Sequence, residues 1–143
     1  MFSFFKSKNQ KLVQQWKKEH EQIVALAHKI IAAHSDHDTK ATKKALVALK
    51  NLALNHLMTE DIELYGMITD GEEIDNSTKK LTKEFTESFR GIKLALMQFL
   101  KIYTKADATL DETFIKEFNE IVGVLGERIA FEEKNLYVEL ESH

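Results

Sequence analysis

Asn55-His56-Leu57-Met58-Thr59-Glu60-Asp61-Ile62-Glu63-Leu64-Tyr65 is the stretch on which the reading of this chain turns. It follows Ala45, Leu49 and Leu52, which form an apolar stripe at helical spacing, and the next two places on that stripe fall to His56 and Glu60. An imidazole and a carboxylate four residues apart project from one helical face, so both can reach the same ligand. Burying such groups is costly unless they are paired or coordinate an ion.

A second stretch repeats the first. Glu127-Arg128-Ile129-Ala130-Phe131-Glu132-Glu133-Lys134-Asn135-Leu136-Tyr137 preserves the Glu, the acid after it and the Leu-Tyr pair. Lys18-Glu19-His20 is echoed by Lys83-Glu84-Phe85, and together these matches suggest a repeated helical hairpin. On the stripe Phe118, Ile121, Leu125, the next places belong to Arg128 and Glu132. Near the start of the chain, Trp16, Ile23, Ala27 and Ile30 carry His20 on the same seam. Periodicity therefore points His20, His56, Glu60, Arg128 and Glu132 at one interior. Imidazole with carboxylate suits Fe, Zn or Mn, and the core of a helical bundle is where such sites are built.

Around these residues the periodicity predicts four long helices, over about 10–34, 39–65, 73–103 and 112–140. Ser35 or Asp38 is available to cap the second and Asp111 to cap the fourth, while Gly66 is expected to end the second. Short polar breaks between long amphipathic segments imply an all-α, antiparallel up-down-up-down four-helix bundle, a single domain over 1–143. Gly91, Gly123 and Gly126 fall inside helices, where they would permit close helix contact or leave a narrow channel. Met58, Met67 and Met97 read as core or near-core packing.

Composition narrows the function. The 143 residues carry 20 Lys plus Arg against 23 Asp plus Glu, a near-balance that gives no reason to expect nucleic acid as partner. With no Cys there is no thiolate metal site, iron–sulfur cluster or cysteine nucleophile. The absence of Pro and the five Gly argue against a sandwich or barrel. No apolar run has the roughly 20 residues needed to cross a bilayer, and Met1-Phe2-Ser3-Phe4-Phe5 is too short for a signal-peptide core, so cytoplasm is the expected location.

His20, His56-x-x-x-Glu60-Asp61 and Leu64-Tyr65 together resemble the hemerythrin-like (HHE cation-binding) family, with a likeness running from about Trp16 to Tyr137. The resemblance implies a four-helix bundle holding a non-haem di-iron centre bridged by two carboxylates, in proteins that carry or sense oxygen, store iron or respond to redox stress. It implies that His20 and His56 are terminal ligands of one iron and that Glu60 and Glu132 are the bridging carboxylates, with Glu133 as the fallback for the second bridge. The second half departs from that pattern. Where the family has a His pair four apart, this chain has Phe85 and Phe89, and where the fourth helix should offer His it has Arg128. The complete di-iron site is thus expected to be lost.

Two carboxylates against one guanidinium leave the cluster with a single negative charge when both His are neutral. The expectation is that Arg128 takes the space of the second metal and pairs with the carboxylates, a geometry its planar fork suits. The site would then hold at most one ion on His20, His56, Glu60 and Glu132, a non-haem iron or else Zn or Mn. The alternative is a metal-free cluster balanced by protonating one His. Function is expected in oxygen, redox or iron sensing or iron handling rather than oxygen carriage, with a regulatory or protein-interaction module as the alternative reading. No nucleophile with its base and no phosphate loop is visible, so an enzyme is not expected.

Overall fold

The computed structural model describes residues 8–70 and 76–141. Among them every regular element is helical: α1 (Lys8–Ser35), α2 (Thr39–Asp70), α3 (Asn76–Tyr103), α4 (Glu112–Phe131), a π-helical turn (Glu132–Leu136) and α5 (Tyr137–Glu141). Each long helix packs on its neighbour in chain order, and α1 closes the bundle against α4 and α5.

The connection from α1 to α2 is built by local hydrogen bonds. His37 adopts a left-handed backbone (φ 58°), and Asp38 N–H reaches back to Ala33 O at 2.9 Å. Of the two candidate caps, Asp38 serves: its Oδ1 accepts from Ala41 N–H at 3.0 Å. Asp111 caps α4 in the same way, through Phe114 N–H at 3.1 Å.

The sequence-derived boundaries change in two places. α2 runs past Gly66 to Asp70, because one glycine in a helix costs only about 1 kcal/mol and does not stop it. The fourth segment does not continue as a single α-helix to Leu140 but breaks after Phe131 into the π-turn before α5 resumes. The interhelical reading of the glycines is also corrected. A Cβ placed on Gly91, Gly123 or Gly126 would meet no atom within 4 Å, so these residues face open space rather than a neighbouring helix. Met58 and Met97 are exposed, not core; Met67 lies outside the residues whose side chains are described, as do Leu64, Tyr65 and the phenylalanines at 2, 4 and 5.

Two apolar clusters hold the bundle. The larger joins Ile23, Ile30, Leu46, Leu49, Leu96, Leu100, Phe114 and Phe118. The smaller joins Val13, Trp16, Phe85, Leu136, Tyr137 and Leu140. Along α1, His20 falls between Trp16 of the smaller cluster and Ile23 of the larger, so the polar residues sit where the two meet.

Candidate metal centre

All five ionisable residues expected inside are buried: His20 3%, His56 2%, Glu60 0%, Arg128 3% and Glu132 1% exposed. α1 supplies His20, α2 supplies His56 and Glu60 one turn apart, α4 supplies Arg128, and the π-turn begins at Glu132. One potential ligand atom from each of His20, His56, Glu60 and Glu132 lies within 4.8 Å of the others. The two imidazoles face each other, Nε2 to Nε2, at 3.1 Å.

An outer carboxylate orients the His56 ring. His56 Nδ1 meets Glu19 Oε1 at 2.7 Å, and His20 Nδ1 lies 3.5 Å from Glu133 Oε2 without a hydrogen bond. A carboxylate on Nδ1 leaves Nε2 facing inward, the arrangement usual for a metal-bound His. Glu133 thus stands outside His20, half-buried, rather than among the inner donors.

Arg128 divides the carboxylates edge by edge. Its Nη2 donates to Glu60 Oε1 at 3.1 Å and its Nε lies 3.4 Å from Glu132 Oε1. The opposite edges face a residue that the sequence reading did not place in the site. Tyr137 hydroxyl donates to Glu60 Oε2 at 2.6 Å and lies 3.0 Å from Glu132 Oε2 and 3.3 Å from His20 Nε2. Its ring packs on Trp16 and stacks on His20. The π-turn explains how it arrives there. Five residues after Glu132, an α-helix would carry Tyr137 well round the axis, whereas a turn with i→i+5 bonding returns it to the face of Glu132. The only hint in the sequence was the recurrence of Leu-Tyr in both halves. Glu19 was missed because an acid beside the stripe reads as a solvated surface residue; it reaches His56 across the α1–α2 contact.

Phe85 is buried under the guanidinium, with Arg128 Cζ 5.0 Å from its ring centroid, and stacks with Phe131. It occupies the flank on which the second set of imidazoles is missing. Phe89 lies in α3, and its side chain is outside the described residues. His34 pairs through Nε2 with Leu110 O at 3.2 Å, at the end of the bundle away from the cluster; His28 and His37 are exposed.

Burial and charge set the protonation of the cluster. Burial, aided by neighbouring His56, pushes His20 down to about 4. His56 moves up: burial opposes its charge, but the carboxylates of Glu60 and Glu19 outweigh it. Burial likewise works against ionised Glu60, yet its bonds to Glu132 and His56 and the charge of Arg128 hold it well below the usual carboxylate range. Glu132 rises well above that range through burial and the adjacent Glu60. Burial and the two carboxylates raise the Tyr137 phenol far above its ordinary value and keep it protonated.

The donor set fits one ion. On a tetrahedral centre with bonds of about 2.1 Å the donors stand about 3.4 Å apart, so the four, now within 4.8 Å of one another, would draw inward around a common ion. A cavity of about 10 Å³ lies beside them, lined by His20, His56, Arg128 and Glu132 together with Leu57 and Leu96. That is about the room of a single water-sized ligand.

Comparison with protein families matches the chain to the hemerythrin HHE cation-binding domain over residues 11–140. No curated protein and no solved structure matches the chain.

Proposed function

This chain belongs to the hemerythrin HHE cation-binding domain family, and from that premise we propose that it binds a single metal ion on His20, His56, Glu60 and Glu132. The observation that carries this reading is the convergence of two imidazole and two carboxylate donors within 4.8 Å, all four side chains buried. The proposal takes the bundle to be the antiparallel up-down-up-down four-helix form, its fourth helix broken by the π-turn, acting as a non-catalytic cytoplasmic domain.

One ion is favoured over two. The guanidinium of Arg128 already neutralises one edge of each carboxylate, and Phe85 closes the flank on which further imidazoles would be needed. Non-haem iron is the metal the family holds, and His–carboxylate donors suit it as well as Zn or Mn. Such an ion would supply Lewis acidity and, as iron, a change of charge with oxidation state. The residues themselves do the rest: Glu19 orients the His56 imidazole, the carboxylates provide negative charge, and the apolar clusters exclude water. The role that follows is sensing of iron or redox state, or handling of iron, rather than oxygen carriage, which draws on two irons.

A second reading rests on how far the cluster closes without an ion. The 3.1 Å imidazole pair, the Arg128 bond to Glu60 and the Tyr137 hydroxyl satisfy most of its polar atoms, and a bundle balanced in this way would serve as a regulatory or protein-interaction module.

Elemental analysis of protein purified without chelator decides between the two. The expected outcome is about one Fe, Zn or Mn per chain. His56→Ala should weaken metal binding by more than the roughly 10–100-fold that loss of an outer partner costs. A metal-free protein that takes up none of these ions at equilibrium leaves the second reading.

A further inference from the structure

The Tyr137 hydroxyl lies closer to the proposed donors than an outer partner needs to. It is within 3.3 Å of atoms from three of them, His20 Nε2, Glu60 Oε2 and Glu132 Oε2. It approaches from the side opposite Arg128, on the carboxylate edges that the guanidinium leaves free. Its one proton goes to Glu60 Oε2, and the oxygen lone pairs remain for its other two neighbours or for an ion held among them. Its ring is fixed by Trp16 and His20 and buried completely, so the oxygen has little freedom to move elsewhere. The π-turn, which breaks an otherwise regular helix, is what brings it there.

From this geometry we propose that Tyr137 is a fifth ligand of the metal centre and binds a ferric ion as phenolate. The inference rests on the single-ion reading above. Charge supports it. A ferric ion with a phenolate leaves the inner cluster at a single net positive charge, the same as a divalent ion beside the neutral phenol, so the buried site need not take on an extra charge to hold Fe(III). On ligation the phenol O–H bond breaks, an iron–oxygen bond forms, and the proton leaves to the buffer. No electron is transferred.

The test is to offer the protein ferric ion as its nitrilotriacetate complex, remove the excess, and record iron per chain, the visible spectrum and the resonance Raman spectrum. The expected result is about one iron per chain with a phenolate-to-iron charge-transfer band in the visible and enhanced tyrosine ring modes. Tyr137→Phe, which keeps the ring against Trp16, should abolish the band. The chain has three Tyr, so Tyr65→Phe and Tyr103→Phe, each retaining the band, assign it to Tyr137 even if Tyr137→Phe fails to load. Iron bound without the band, or a band lost with Tyr65 or Tyr103 instead, overturns phenolate ligation and leaves the metal centre standing. Failure to bind iron at all overturns both.

Discussion

Arg128 is the residue on which the energetics of the metal-free cluster depend. Its guanidinium faces Glu60 and Glu132, and all three side chains are buried. Removing one partner from a buried ion pair leaves the others uncompensated, at a cost of about 3–5 kcal/mol. Arg128→Ala should therefore lower the stability of metal-free protein by that order in urea unfolding, and a bound divalent cation should restore much of the loss. A variant as stable as the parent without metal would show that the pairing does not stabilise the interior. Arg128 was legible from sequence, as were His20, His56, Glu60 and Glu132, because each sits on an apolar stripe where a charge is conspicuous. Glu19 and Tyr137 were not. The first looks like any surface acid until α2 is laid beside it, and the second falls on the wrong face of an ideal helix.

At the scale of the element, long helices with periodic apolar faces were legible in the sequence, and the described elements follow them closely. What the pattern missed were departures from ideal geometry. Neither the passage of α2 through Gly66 nor the π-turn at Glu132–Leu136 leaves a mark on residue spacing that an α-helical period would detect. The glycines of α4 were misjudged for a related reason, since spacing cannot tell a crowded face from an empty one. Gly123 and Gly126 lie in helical backbone with open space where a Cβ would be. Substituting Ala at either position should stabilise the protein by about 1 kcal/mol, through a lower unfolded-state entropy and better helix propensity. Thermal or urea unfolding of Gly123→Ala and Gly126→Ala measures this directly, and destabilisation would reveal a contact absent from the monomer.

For the whole molecule, the buried titrations shape how stability varies with pH. His20 has its pKa lowered from 6.5 to about 4, so between those values the unfolded chain binds more protons and stability falls on acidification. Glu132, raised well above 4.5, has the opposite sign above that value, and its contribution is lost as pH rises. Glu60 is depressed, so stability is lost as pH falls below 4.5. His56 is raised, so its contribution, complete below 6.5, is lost as pH rises through its folded-state value. Metal-free protein should accordingly be most stable between about pH 4.5 and 6.5, with declines on both sides, read from urea midpoints across pH. A midpoint that climbs steadily into alkaline solution would mean that His56 does not keep its proton. Added metal should move the optimum upward, because ligands bind metal deprotonated.

The placement of the π-turn has one more consequence. His20 belongs to the first helix, while Glu132 and Tyr137 belong to the last turns, and Lys17 and Gln10 fasten Glu141 close by. The interior cluster is therefore a clasp between the beginning and the end of the fold. An ion seated in it would stiffen the closing five-residue helix, and its departure would let that helix fray. The bundle can report what it holds through the looseness of its own tail, without a hinge or a moving domain.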